Sequence, residues 1–78
     1  MMGQRIKAVF AEVFQCDPMA LGAESSPDTV AGWDSFGHLA LVEALQSAFS
    51  VSFEVGDIAQ MDSLAQIERV LQKRGARP

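Results

Sequence analysis

Residues 34–49 read Asp-Ser-Phe-Gly-His-Leu-Ala-Leu-Val-Glu-Ala-Leu-Gln-Ser-Ala-Phe, and this stretch decides the fold. Turned at about 100° per residue, His38, Leu41, Val42, Leu45 and Phe49 share one side of a helix. Asp34 is a good N-cap and Ser35 takes the first helical position, which predicts a helix over 35–49. Ser35, Leu39, Glu43 and Gln46 form a stripe beside the core face, with Phe36 at its far edge. Gly37 and Ala44 are expected to point away from the core.

Upstream, Ile6, Val9, Phe10, Val13 and Phe14 follow helical spacing and predict a helix over 4–15. Asp17-Pro18 stops it, because the residue before proline avoids the helical region. Residues 16–34 make a long connection with two prolines and two glycines. A connection of that length is usually functional or carries a short helix. Met19, Leu21 and Val30 are expected to pin it to the core. Downstream, Val51-Ser52-Phe53 alternates like a strand but is too short to build a sheet. Residues 54–60 suit a short helix with Val55 and Ile58 inward. Ser63 and Gln66 form a capping-box pattern that opens a last helix over 63–73, with Leu64, Ile67, Val70 and Leu71 on one face. Lys73 and Arg74 suit the negative end of its dipole, and Gly75 ends it. The expected architecture is all-α: a small four-helix bundle with three longer helices, one short one and a long first loop. One domain fills residues 1–78, with an ordered core over about 4–74 and a tail at 75–78.

Composition supports one small globular unit. The chain has 78 residues, 49% hydrophobic and 21% charged. A chain of this size has no room for a cleft between domains and little for a deep active site of its own. Cys16 stands alone, so no disulfide framework exists, and no positive neighbour activates it; it reads as a small hydrophobe at a helix end. All six bases (Arg5, Lys7, Arg69, Lys73, Arg74 and Arg77) lie near the chain ends, while all ten acids fall between Glu12 and Glu68. Such a surface repels nucleic-acid phosphates and favours basic protein patches. No apolar run approaches the roughly 18–20 residues that span a bilayer. Residues 1–15 mix apolar positions with Arg5, Lys7 and Glu12, unlike an export signal. A cytoplasmic monomer without nucleic-acid or membrane partners is the expectation. No Cys/His cluster or calcium-loop spacing implies a metal.

Gly32-Trp33-Asp34-Ser35-Phe36-Gly37-His38-Leu39 places a serine hydroxyl beside the unpaired N–H groups of a helix start, where a phosphate is favoured. Asp34 caps that helix or helps hold a metal ion brought by a modifying enzyme. Asp34-Ser35-Phe36 resembles the Asp-Ser-Leu motif of acyl carrier proteins. The helix order and the positions of Leu41, Val42, Leu45, Phe49 and Phe53 extend the likeness over roughly residues 4–73. The resemblance implies a non-catalytic stand-alone carrier. Its Ser35 would take a covalent 4′-phosphopantetheine arm from coenzyme A, through a phosphopantetheinyl transferase. The arm would hold an acyl group as a thioester for acyl-loading, condensing or modifying enzymes. The protein would supply orientation and recognition, and the cofactor the sulfur.

Two departures shape the finer reading. Many fatty-acid carriers have a strongly acidic second helix, whereas residues 36–49 contain only Glu43, with Ala40 where glutamate is common. Recognition is therefore assigned to Phe36, Leu39 and Glu43, leaning on apolar contact more than charge. Trp33-Asp34-Ser35 and Gly37-His38-Leu39 resemble carriers of polyketide or other secondary-metabolite synthesis. A fatty-acid or aminoacyl/peptidyl carrier remains the alternative, as does a helical protein-interaction domain without a prosthetic group. Ser35, His38 and Asp34 do not make a hydrolytic triad, since one helix turn cannot supply a separate orienting acid and an oxyanion hole. His38 is expected to pack under the long loop and bond a backbone carbonyl, or to line the mouth of an acyl cavity. Trp33 reads as a loop-to-core anchor or a partner contact.

Overall fold

A computed structural model describes residues 2–77. Four helices form: α1 (Met2–Phe14), α2 (Ser35–Phe49), α3 (Val55–Gln60) and α4 (Leu64–Lys73), with a single 3-10 turn at Pro18–Ala20 in the long connection. No strand occurs among the described residues, so the chain is the small all-α bundle that its periodicity implies.

The core follows from the helical faces. Ile6 and Phe10 of α1, Leu41 and Leu45 of α2, and Ile67 and Leu71 of α4 are fully enclosed. α1 lies antiparallel to α2. Arg5 near its start donates to the Ala48 carbonyl at the end of α2, while Phe14 at its end lies against Gly32 and Gly37. Arg5 also donates to the Arg77 carbonyl at 3.1 Å and lies 4.3 Å from the centre of the Phe49 ring. One side chain thus caps α2, covers a core aromatic and fastens the C-terminal segment.

Gly37 and Ala44 do not face away from the core. Both are half-buried, and Ala44 packs against the core cluster. Their small size brings α1 and the Gly32 turn close to α2, so the buried surface of α2 is wider than its large apolar residues suggest. α1 ends at Phe14, one residue short of the expected end at 15, because Gln15 adopts the left-handed conformation (φ 55). Asp17 instead caps the 3-10 turn through the Met19 N–H at 2.9 Å.

Leu21 and Val30 pin the long connection as expected, but Met19 is 88% exposed. The main hold on this loop is polar. The Ser25 and Ala23 carbonyls accept from the Leu64 and Ala65 N–H groups, each at 3.0 Å. Ser63 Oγ takes the Gln66 N–H at 3.2 Å. The first turn of α4 is therefore saturated, half of it by a loop some forty residues upstream.

Val55 is also not inward: it is 84% exposed. The buried residue of α3 is Asp57, 2% exposed. Its carboxylate receives the Glu54 N–H at 3.0 Å, Lys73 Nζ at 2.9 Å and Arg74 Nε at 2.7 Å. In a helix of six residues, these charged bonds set which face turns inward. Residues 75–77 are not a loose tail. Gly75 turns with φ 77, and Ala76 packs on the core. Pro78, also placed in the tail, lies outside the described residues.

Candidate functional site

α2 begins as its sequence dictates. Asp34 is extended, and its Oδ1 accepts from the Gly37 N–H at 2.8 Å while its carbonyl takes the His38 N–H at 2.7 Å. That cap leaves the N–H groups of Ser35 and Phe36 without an intrahelical partner. α4 differs, because the loop fills the corresponding positions there. Ser35 is exposed, and its hydroxyl has no hydrogen-bond partner among the described residues. A free hydroxyl, two free backbone donors and the positive end of a 15-residue helix converge at one point.

An open cleft of about 660 Å³ adjoins Ser35. Trp33, Ile58 and Met61 give it apolar walls, Val55 stands at its edge, and Asp34 and Asp62 border it. Three of these elements are joined through His38. The indole N–H of Trp33 can only donate, so it donates to His38 Nδ1 at 2.8 Å. The proton of the neutral ring then sits on Nε2, which donates to the Ile58 carbonyl at 2.9 Å. The rings of Trp33 and His38 lie edge to edge and nearly coplanar, at an interplanar angle of 14°, which suits this in-plane bond. His38 therefore bonds a backbone carbonyl as expected, and the carbonyl belongs to α3. Trp33 is 2% exposed, with its ring edge-on to Phe10 at 5.0 Å. It is the anchor of the turn that precedes α2.

Leu39 and Glu43 stand four and eight residues after Ser35, on the same exposed stripe of α2. Phe36 is 85% exposed and Leu39 59%. Gln46 ends the stripe half-buried, because its Oε1 accepts from the Phe53 N–H at 2.9 Å. Cys16 is half-buried against α1, with its thiol 3.6 Å from the Phe10 carbonyl.

Two features escaped sequence reasoning. Gly32 holds a left-handed φ of 88 that aims its carbonyl at Gly37, and the pairing of two glycines five residues apart was the available signal. The Asp57 cluster was the other; Glu54 with Asp57 three residues on, facing Lys73-Arg74, was its trace. The Glu54 N–H, then Lys73 and Arg74, hold the Asp57 carboxyl down at about 2. Among the described residues no helix is long and apolar enough to cross a membrane, and no group of side chains is arranged to hold a metal ion.

A family model described as "Phosphopantetheine attachment site" matches residues 4–71. No match is found among curated proteins.

Proposed function

The chain belongs to the phosphopantetheine-attachment family, a carrier family whose prosthetic group is covalent 4′-phosphopantetheine, and from that premise we propose that Ser35 is the residue that takes the arm. The exposed, unpartnered hydroxyl at the first turn of α2 carries this reading. A phosphodiester there is met by the Ser35 and Phe36 N–H groups and by the helix dipole. Asp34 already spends one carboxylate oxygen on Gly37, so the cap survives modification. When attached, the arm supplies a terminal thiol that holds an acyl group as a thioester. The chain's own residues orient that arm over the cleft and present α2 to other proteins; they break no bonds themselves.

The 78 residues act as one domain and as a monomer in the cytoplasm. Partners are a phosphopantetheinyl transferase and the acyl-loading, condensing or modifying enzymes of a biosynthetic route. They approach the start of α2, where Phe36 and Leu39 offer apolar surface and Glu43 the one acid of residues 36–49. The low charge argues against a fatty-acid role, Gly32-Trp33 departs from the peptidyl pattern, and the likeness of Trp33-Asp34-Ser35 and Gly37-His38-Leu39 to carriers of secondary metabolism favours polyketide or related synthesis. Incubation with coenzyme A, magnesium and a broad-specificity transferase tests the assignment by intact mass. The wild-type chain gains one phosphopantetheinyl unit, and Ser35→Ala gains none while melting at the same temperature. A labelled Ser35→Ala chain refutes it.

A further inference from the structure

We propose that His38 is a bolt across the seam between α2 and α3 that bars plain alkyl groups from the bundle interior. Cargo then stays in the open cleft, and the chain favours short or oxygen-bearing acyl groups. The inference rests on Ser35 as the anchor of the arm.

The cleft lies between residues of α2 and α3, and its wall residue Met61 belongs to the same core cluster as Leu41 and Leu45, so a cargo moving inward would pass between these two helices. α3 closes that route without a fully buried apolar side chain: Val55 is exposed, Ile58 is half-buried and Asp57 is ion-paired. A seam made only of apolar contacts would yield to an alkyl chain, which exchanges one apolar contact for another. Here the imidazole crosses the seam with both nitrogens committed, to Trp33 behind and to Ile58 in front. An inserted alkyl group breaks the Nε2–H bond to Ile58 and offers no acceptor in return. The Ile58 carbonyl keeps the Met61 N–H at 3.3 Å, so the group left unsatisfied is the imidazole donor. The ring cannot swing aside either, because that strands the buried indole N–H of Trp33. A hydroxyl or carbonyl oxygen on the cargo can accept from Nε2–H in place of Ile58. The exclusion is therefore chemical as well as steric.

The test loads wild type, His38→Asn and His38→Gln from acetyl-, octanoyl- and 3-hydroxyoctanoyl-coenzyme A, with loading at Ser35 verified by intact mass. Asparagine keeps an acceptor for Trp33 but is too short for Ile58, whereas glutamine places an amide N–H within its reach. In wild type, the octanoyl arm leaves the Leu45 and Met61 methyl signals and the melting temperature where the acetyl arm leaves them. The 3-hydroxyoctanoyl arm shifts the His38 ring nitrogens. In His38→Asn, the octanoyl arm moves the core methyl signals and raises the melting temperature; in His38→Gln, which gives up the Trp33 acceptor but still reaches Ile58, the octanoyl arm leaves them where the acetyl arm does. Core shifts in octanoyl-loaded wild type overturn the bolt while leaving the anchor intact, and this comparison needs no variant to fold. Silent core signals in octanoyl-loaded His38→Asn overturn it as well, as do unmoved His38 nitrogens under the hydroxylated arm. A chain that takes no arm at Ser35 refutes the anchor, and the inference falls with it.

Discussion

Replacing Gly37 by alanine reverses a familiar expectation. In an exposed helix interior, alanine is favoured over glycine by about 1 kcal/mol, through backbone entropy. At position 37 the new methyl lies 2.9 Å from Phe14 Cε1 and 3.1 Å from the Gly32 carbonyl carbon, with the Gly32 oxygen nearer still. Carbon pairs sit at about 3.5–4.0 Å, so the Gly32 turn must retreat by ~1 Å. It cannot do so freely, because Gly32 holds a left-handed φ of 88 and the next residue is the buried Trp33. Overpacking against backbone lies toward the upper end of the usual range, ~3 kcal/mol, which leaves a net loss of ~2 kcal/mol after the helix gain. For a domain this small that is a fall of roughly 8–16 °C in melting temperature. Far-UV circular dichroism during heating and urea titration measures it directly. Gly56→Ala is the control, since nothing lies within 4 Å of its added methyl; it keeps or slightly raises stability. A Gly37→Ala chain as stable as wild type would refute the close approach of α2 to the Gly32 turn.

Phe49→Ala removes a buried ring together with the surface on which Arg5 rests, and costs on the order of 3–5 kcal/mol by urea unfolding; an unchanged midpoint contradicts its place in the core. Asp57 titrates at about 2 when folded against 3.8 as its reference, so its contribution is complete above pH 4 and fades as the pH falls toward 2. The stability gap between wild type and Asp57→Asn, read from urea midpoints at pH 7, 4, 3 and 2.5, therefore narrows across that interval, and a constant gap contradicts the ion cluster. Leu39→Asp keeps the melting temperature but lowers acyl transfer to at least one cognate enzyme tenfold or more, about 1.4 kcal/mol; full transfer with every partner removes Leu39 from the recognition surface.

α2 was legible from the sequence because fifteen residues give the apolar period four turns to declare itself, and Asp34 marks its start with an unambiguous cap. α3 was not, because six residues admit several phases. The choice among them was made by Lys73 and Arg74, sixteen and seventeen residues away, beyond any local window. Met19 failed for a related reason: its neighbours carry no period, so hydrophobicity alone put it inside. The place of Ser35 at a helix start was legible from Asp34 before it, while its proposed role came from the likeness of Asp34-Ser35-Phe36 to the carrier motif; His38 yielded half its role. Its position on the inner face called for a carbonyl partner, but the owner of that carbonyl depends on how α3 docks.

Arg5 reaches the Arg77 carbonyl beside the last turn of α2, so the start of α1 and residues 75–77 meet there. Ser35 stands at the first turn, about 22 Å away at 1.5 Å per residue. The molecule thus has a handle at one end of α2 and, at the other, a tip that holds the proposed attachment residue. A surface, a dye or a neighbouring polypeptide joined at either end leaves the tip pointing outward, and a short peptide joining the two ends would close the chain into a ring without touching it. Serial fusion of several copies would set their tips on the same side as often as the linkers allow, a geometry suited to raising the local concentration of cargo around one enzyme.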